Sequence, residues 1–408
     1  MIEHVFDDER IALRPTVIEV DLDALRPNVS AVRQRIGSAR CMATVKANAY
    51  GHGLIRTAKE LLGFGVDELG VAFLEEGIAL RRAGVTAPIL VLGGIIGNQI
   101  AHFLEYDLQI TASSVYKLGQ IEETAAAMGR RAQVQLKIDT GMGRIGIRHE
   151  NAAQLFDAFR DTRHCDLRGV FSHFASSHDA DPAFTALQLR RFNEALEYFP
   201  RNDLPMPVRH IANSAAILQH PDSILDMVRP GIMLYGVYPG PDVARSVALR
   251  PALSMKSRVV YFKVVLAGAS IGYDHTWTAT RDTRVVTLPV GYGDGYARRL
   301  SNHASVLIHG TRYPVAGRIS MDQCMVDIGQ DSAYTGDEAV LIGSQGTERV
   351  TVEELAGLCE TIPYEILTML SVRIPRTYVS TGDAGGDDGS IPDHDTAAPG
   401  TAALSGDP

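Results

Sequence analysis

The sequence predicts an α/β protein, a (β/α)8 barrel of the TIM type followed by a mainly β C-terminal domain. Three observations lead there. Short β-branched runs alternate with stretches of helical period through roughly the first 250 residues. Eight such runs occur, whereas an open dinucleotide-binding sheet usually has fewer and carries a GxGxxG loop after its first strand, which is missing here. Beyond Pro251 the texture changes to strands joined by glycine-rich turns.

The runs, in order, are Cys41–Lys46, Glu68–Phe73, Pro88–Leu92, Leu108–Ala112, Gln133–Asp139, Leu167–Phe174, Val208–Ala212 and Met227–Leu234. Helical stretches follow the first seven, among them Leu54–Leu62, Glu75–Ala83, Val115–Met128, Glu150–Asp161, Ala183–Tyr198 and Ser214–His220. In Ala183–Tyr198 the spacing of Phe184, Leu187, Phe192 and Leu196 marks an apolar helix face. Strand–helix alternation implies parallel βαβ units, and eight of them close a sheet on itself and leave no exposed edge. In the second region Val259–Leu266, Arg284–Pro289, Ala304–Gly310, Val315–Met325 and Glu338–Ile342 read as strands. Val352–Cys359, opened by the capping box Thr351-x-x-Glu354, and Tyr364–Ser371 read as helices. The domain plan is therefore an N-terminal extension over 1–15, a barrel over 16–250, a β domain over 251–379 and a disordered acidic tail over 380–408.

With 408 residues, two or three domains are expected. At 45% hydrophobic and 21% charged, the chain is neither mostly disordered nor a disulfide framework. A net charge of −9, six units of it from aspartates after Ser380, argues against a nucleic-acid-binding surface. Cys41, Cys165, Cys324 and Cys359 lie far apart with no CxxC pair, so reduced thiols are expected, and neither a zinc ribbon nor an HExxH helix is present. The acidic N-terminus lacks a signal-peptide pattern, and the longest apolar stretch is too short to span a bilayer, so a soluble, cytoplasmic protein without a membrane partner is expected.

In such a barrel the active site lies at the C-terminal ends of the strands. Those ends carry Lys46, then Lys137 running into Arg144, then His173, then His210, Asn213 and Ser214, and finally Arg229 with Gly231 and Ile232. Lys46 closes an apolar run, where desolvation would lower its pKa and free the amine as a nucleophile; taken alone it also reads as a lysine snorkelling off a strand end. Ser214, Gly231 and Ile232 could offer donors to a phosphate, though singly they read as a helix cap and a turn. Arg229 inside an apolar strand needs a partner, because a buried guanidinium cannot neutralise itself. Lysine, phosphate cradle and buried arginine together suggest pyridoxal phosphate.

The segment Val45-Lys46-Ala47-Asn48-Ala49-Tyr50-Gly51-His52-Gly53 resembles the cofactor-lysine signature of bacterial alanine racemases, fold type III pyridoxal-phosphate enzymes. Lys137–Arg144, His210-x-x-Asn213-Ser214, Arg229-Pro230-Gly231, Gly272-Tyr273, Gly291–Gly295, Ser320-Met321-Asp322 and Pro363-Tyr364-Glu365 extend the likeness over about residues 15–379. It implies a head-to-tail homodimer that interconverts L- and D-alanine and supplies D-alanine for peptidoglycan. Lys46 would hold pyridoxal 5′-phosphate as a Schiff base and, once released, act as one of two acid/base groups on opposite faces of the substrate Cα. Tyr273 of the partner would be the other; a phenol is a weak acid, so His173 and Arg229 would assist it. Arg229 would donate to the pyridine nitrogen without giving up its proton, which disfavours a long-lived carbanion. Tyr50, Ser214, Gly231, Ile232 and Tyr364 would contact the phosphate, with His173 and Asn213 also lining the cofactor. Arg144 and the Met321 amide would take the substrate carboxylate, and Tyr292 would narrow the entrance. Lys137 matches a lysine that many relatives carbamylate. Asp322 and His210 would support these groups from behind, and His178 reads as a surface histidine. A racemase acting on serine or several amino acids is a near alternative, since an apolar pocket discriminates only about 1–3 kcal/mol per methylene. A non-enzymatic cofactor carrier or a decarboxylase fits less well, because Tyr273, Arg144 and Arg229 would be without purpose.

Overall fold

The computed structural model describes residues 13–380; the acidic tail and most of the N-terminal extension lie outside the described residues. The chain opens with β1 (Val17–Asp21) and the helix Leu22–Ile36, whose first turn is capped by Asp21 Oδ1 accepting from the Ala24 amide at 3.0 Å. The barrel then runs through β2 (Arg40–Thr44), β3 (Glu68–Val71), β4 (Ile89–Val91), β5 (Gln109–Ala112) and β6 (Ala132–Asp139). A two-residue spur on β6, β7 (Ile147–Arg148), precedes β8 (Cys165–Phe171), β9 (Arg209–His210) and β10 (Met227–Val228). The eight staves pair in parallel in the order β10-β2-β3-β4-β5-β6-β8-β9. The Arg229 amide, donating to the Ala212 carbonyl at 2.9 Å, joins the two ends, and at the foot of the same seam the Asp226 carboxylate takes the Arg209 amide at 2.9 Å.

The last expected strand, Met227–Leu234, stops at Val228. Pro230 has no amide to give, and a 3-10 turn over Ile232–Tyr235 follows. The helix ring is completed from an unexpected direction. Leu22–Ile36, which precedes the first stave, packs between Leu54–Gly63 and Ser214–Gln219.

Side chains alternate across each stave. Outward positions such as Cys41, Ala43, Leu69, Val71, Val134, Leu136 and Val228 belong to the main core beneath the helices. Inward positions form a separate small apolar cluster, Met42, Leu90, Phe171 and Met227, beside buried Glu68, Gln109, Gln135, Lys137, His210 and Arg229.

The second region is mainly β, and it claims part of the segment read as barrel. β1 pairs antiparallel with β11 (Leu253–Arg258) and parallel with Arg376–Val379, so residues 17–21 belong to the second sheet rather than to the barrel. The sheet runs Thr311–Pro314, Ser305–Ile308, Glu338–Gln345, β11, β1, Arg376–Val379, and a three-stranded sheet of Tyr261–Val265, Thr283–Leu288 and Cys324–Gly329 accompanies it. The strand expected over Val315–Met325 is instead mostly a turn. Gly317 takes φ +76°, and Ser320 Oγ accepts from the Gln323 amide at 3.0 Å, reversing the chain before Cys324. Thr351 Oγ1 accepts from the Glu354 amide at 3.1 Å and caps Val352–Leu358 as expected. No helix among the described residues is long and apolar enough to cross a membrane.

Candidate active site

Lys46 stands at the C-terminal end of β2, on an unusual piece of backbone. Ala47, Asn48, Ala49 and Tyr50 all have φ between +52° and +55°, a left-handed turn that costs roughly 1–2 kcal/mol per L-residue. The surroundings hold it in place. Glu76 accepts from the Ala47 amide at 2.6 Å, Asn48 Oδ1 accepts from Leu54 at 2.8 Å, and His52 Nδ1 meets the carbonyls of Ala49 and Tyr50 at 3.1 and 2.9 Å. Gly51 ends the turn at φ +83°, where a Cβ would lie 2.3 Å from the Leu367 carbonyl oxygen of the second domain. Burial lowers the Lys46 pKa, Arg144 and Arg229 lower it further, and Glu76 opposes them. The result is an amine that gives up its proton more easily than a solvated lysine.

Arg229 is fully buried at the centre of the mouth. Its Nη1 donates to His210 Nδ1 at 2.7 Å; its Nη2 donates to the carbonyls of Ser172 at 2.7 Å and Ile211 at 3.1 Å, and to His173 Nδ1 at 3.2 Å. Every acceptor is neutral, and Nε takes part in none of these bonds. Burial alone pushes the guanidinium down to about 9, so it stays cationic at neutral pH. His173 and His210 are driven well below their usual range by burial and then by Arg229, which keeps both rings neutral. Lys137 is buried with Nζ 4.2 Å from the centre of the Phe171 ring, and burial, Arg229 and Arg144 hold its pKa well down. Arg144 itself is exposed at the edge of this cluster.

The residues present fit a pyridoxal phosphate. Ser214 Oγ accepts from the Gly231 amide at 2.8 Å, leaving its own proton to give, and Ile232 lies alongside it, buried. A Cβ on Gly231 would sit 2.5 Å from the Tyr50 hydroxyl, so the glycine is what lets the phenol approach this corner. The Tyr50 and Tyr364 rings are 5.9 Å apart, which brings a second hydroxyl from the other domain of the same chain. Asn213 contributes differently. Its Oδ1 caps the Ser214 helix at the Ala216 amide and accepts from Ser177, so it fixes the cradle from below.

Tyr273, Tyr292 and Met321 are not part of this cluster. They lie on the second domain, 67%, 42% and 55% exposed, around the Arg318–Met321 turn. The charged groups acting on Lys46 all come from the barrel. His178 is exposed and faces Asp179 at 3.4 Å. Asp322 accepts from Arg373 at 2.8 Å, behind Met321.

Several contributors were missed from the sequence. Glu76 gathers the amides of Ala47, Ala72 and Phe73; its signal was an acid in the first turn of a helix after a stave. The fully buried Asp294 accepts from the Gly291 amide, Arg14 and Arg373, which ties the Tyr292 turn to Asp322. Gln135 and Gln109 line the barrel interior beneath His210, two residues before Lys137 and at the foot of β5. Among the described residues no group of three or more His, Cys, Asp or Glu could hold a metal.

Comparison with known proteins places these features. The alanine racemase N-terminal domain family matches residues 20–239, and the alanine racemase C-terminal domain family matches 252–378. The alanine racemase of Symbiobacterium thermophilum is 46% identical over 368 residues, covering 90% of this chain and 97% of that protein. That of Carboxydothermus hydrogenoformans is 43% identical over 369 residues, covering 90% and 100%. Among solved structures, alanine racemase from a D-cycloserine-producing Streptomyces lavendulae superposes with a TM-score of 0.86 at 37% identity over 90% of this chain and 97% of that one. A histidine racemase from Leuconostoc mesenteroides gives 0.84 at 27% identity over 92% and 100%.

Proposed function

Since the chain belongs to the alanine racemase family and is by that membership an amino-acid racemase, an isomerase, we propose that it interconverts L- and D-alanine with pyridoxal 5′-phosphate held on Lys46. The observation that carries this reading is Arg229, a buried cation bonded only to neutral acceptors, with Nε disengaged from all of them. A decarboxylase-type site would place a carboxylate there. When bound, the cofactor supplies an electron sink that acidifies the substrate Cα–H.

The chain's own groups do the rest. Arg229 would face the ring nitrogen as a donor that keeps its proton, which limits how far charge drains from Cα. Ser214, the Ile232 amide, Tyr50 and Tyr364 would hold the phosphate, and Gly231, whose amide orients Ser214 Oγ, would leave room for it. Lys46, its pKa lowered by burial, would take the Cα proton on one face as the amine and return it as the ammonium. The phenol of Tyr273 would serve the opposite face, because inversion needs removal and delivery from two sides. Arg144 and the Met321 amide would bind the substrate carboxylate, and Tyr292 would narrow the approach. Tyr273, Tyr292 and Met321 would reach the mouth from a second copy of the chain, and their exposure on the second domain supports a homodimer that completes each site in trans. Lys137, buried and short of protons between two arginines, is suited to carbamylation. Its neutral amine nitrogen would bond CO2 carbon and release one proton, turning an uncharged amine into an anion beside Arg144 and Arg229. The product D-alanine would serve peptidoglycan synthesis in the cytoplasm.

The purified protein should be yellow, should retain the cofactor covalently on Lys46 after borohydride reduction, and should exchange the α-hydrogen of alanine in deuterated water. A borohydride adduct on another lysine would overturn the assignment. Faster exchange with serine or histidine would move the substrate.

A further inference from the structure

Beneath Arg229 a line of buried polar side chains descends the inside of the barrel, from the mouth to the foot. His210 Nε2 lies 2.5 Å from Gln135 Oε1, and Gln135 Nε2 lies 2.5 Å from Gln109 Oε1. Gln109 Nε2 and Glu68 Oε2 are both buried without a hydrogen-bond partner, and the Gln109 side chain acts on the Glu68 carboxyl. The other Glu68 oxygen is paired with Arg40, whose side chain reaches solvent at the foot of β2. Glu68, Gln109, Gln135 and His210 are each no more than 2% exposed. A barrel interior of this size is normally filled with branched apolar side chains, so four polar residues in line need a reason.

The backbone is adapted to the line. β6 and β8 pair Val134 with Leu167 but Gln135 with Gly169, an extra residue inserted into β8 at the level of Gln135. Bulges between parallel strands are rare and mark adapted sites. Gly169 leaves the space: a Cβ there would lie 3.0 Å from Gln135 Oε1 and 2.8 Å from the Val208 carbonyl oxygen.

Donor and acceptor chemistry then fixes every orientation. A guanidinium has no lone pair to offer, so as long as Arg229 is aimed at His210 the Nδ1 accepts from it and the ring proton sits on Nε2, facing the Gln135 oxygen that holds it there. Gln135 must therefore turn its oxygen to His210 and its amide nitrogen to Gln109. Gln109 must turn its own nitrogen toward Glu68, which when ionised only accepts. Flipping either amide would set oxygen against oxygen and nitrogen against N–H.

We propose that Glu68, Gln109 and Gln135 are positioning residues: a one-way relay that locks His210 as the Nε2–H tautomer and so presents a bare Nδ1 that aims Arg229. The relay places its anion at the far end of the barrel instead of against the guanidinium. Arg229 is thereby oriented by a carboxylate that does not touch it, and its donor strength toward a ligand is kept. The catalytic consequence rests on the racemase reading above, whereas the tautomer does not.

Nitrogen-15 NMR of histidine-labelled protein reads the relay, with the His210 signals identified by their loss in His210→Gln. With or without pyridoxal phosphate, the wild type should show a protonated Nε2 and a bare Nδ1. Gln135→Leu should let both tautomers populate, with kcat for alanine down about 10- to 100-fold and KM within about 2-fold. Gln109→Leu, one link further from the site, should act in the same direction if Gln135→Leu does not fold. Glu68→Gln, which keeps an acceptor oxygen, should retain the single tautomer that Glu68→Met loses. A protonated Nδ1 in the wild type overturns the proposal, as does one unchanged tautomer and kcat in both leucine variants. A wild type with the expected tautomer that racemises nothing would instead overturn the proposed function.

Discussion

The mouth of the barrel and the rim of the second domain are built on opposite terms. At the mouth, Arg229, Lys137 and His210 are at most 5% exposed, and the bonds that orient Arg229 and His210 come from within the barrel. The strained turn after Lys46 is braced there by Glu76, Asn48 and His52. The rim is strained too, with Asp274 and His275 at φ +60° and +49° beside Tyr273. Yet the rim displays its aromatic side chains to solvent. Its bracing, through Asp294 and Arg373, fixes the backbone that carries them and covers none of them. One region has desolvated its own charges to tune them, and the other presents groups that gain a function only against another surface. On the proposed reading, the two are halves of one site carried on different chains.

The largest effects test that division. Lys46→Ala and Tyr273→Phe should each lower racemisation by about 10³-fold or more. Mixed under conditions of subunit exchange, the two inactive proteins should recover about a quarter of wild-type activity, because half the dimers are hybrids and each hybrid has one intact site. If mixing restores nothing while dimers exchange, the two groups work within one chain and the comparison fails.

A smaller effect separates the regions by acid tolerance. His52 is held down to about 4 from 6.5 by burial, and His173 and His210 are shifted the same way. The unfolded chain binds these protons as the pH drops below 6.5, but the folded chain does not until a much lower pH, so stability falls as pH falls through this window. For His52 alone the loss is about 3 kcal/mol at full extent, at 1.36 kcal/mol per unit. All three histidines sit in the barrel, whereas Trp277, the chain's one tryptophan, sits in the second domain. Urea titrations between pH 7 and 4 should therefore show the far-UV circular dichroism signal losing midpoint sooner than Trp277 fluorescence. The reverse order would place the acid-sensitive groups in the rim.

How much of this could be read from the residues follows the same division. The staves were legible because β-branched runs and helical periods are local signals, and the mouth was legible because Lys46, Lys137, His173 and Arg229 are conspicuous at strand ends. β1 was not, since Val17–Asp21 is too short to announce itself and finds its partners, Leu253–Arg258 and Arg376–Val379, more than two hundred residues away. The turn at Arg318–Met321 was hidden between Val315 before it and Cys324 and Met325 after it, with Ile319 inside it, where Gly317 and Ser320 override the propensity of their neighbours. Gln135 and Gln109 do not stand out because they lie within their staves and not at the ends, although the alternation that turns Lys137 inward turns Gln135 inward as well. The left-handed turn at Ala47–Tyr50 gave no compositional sign at all, for two of its residues are alanine.

Weaker perturbations sharpen the comparison within the mouth itself. Gly231→Ala would drive a Cβ to within 2.5 Å of the Tyr50 hydroxyl, which must retreat from the corner shared with Ser214. Cofactor affinity should fall about 10-fold, or about 1.4 kcal/mol, in a fluorescence titration of the apoprotein, and the far-UV spectrum should not change. Smallest of all should be the effect of His178→Ala. The loop after β8 is anchored through Ser177, whose hydroxyl donates to Asn213 at 2.8 Å and whose carbonyl accepts from Gln219 at 2.8 Å, whereas His178 points outward to Asp179. Removing an exposed pair of this kind should change stability by less than about 0.5 kcal/mol, while Ser177→Ala, which takes a donor from the residue capping the Ser214 helix, should cost about 1 kcal/mol. A larger loss from His178→Ala than from Ser177→Ala would mean that the loop is held from its solvent side, and that the mouth too depends on a surface outside its own fold.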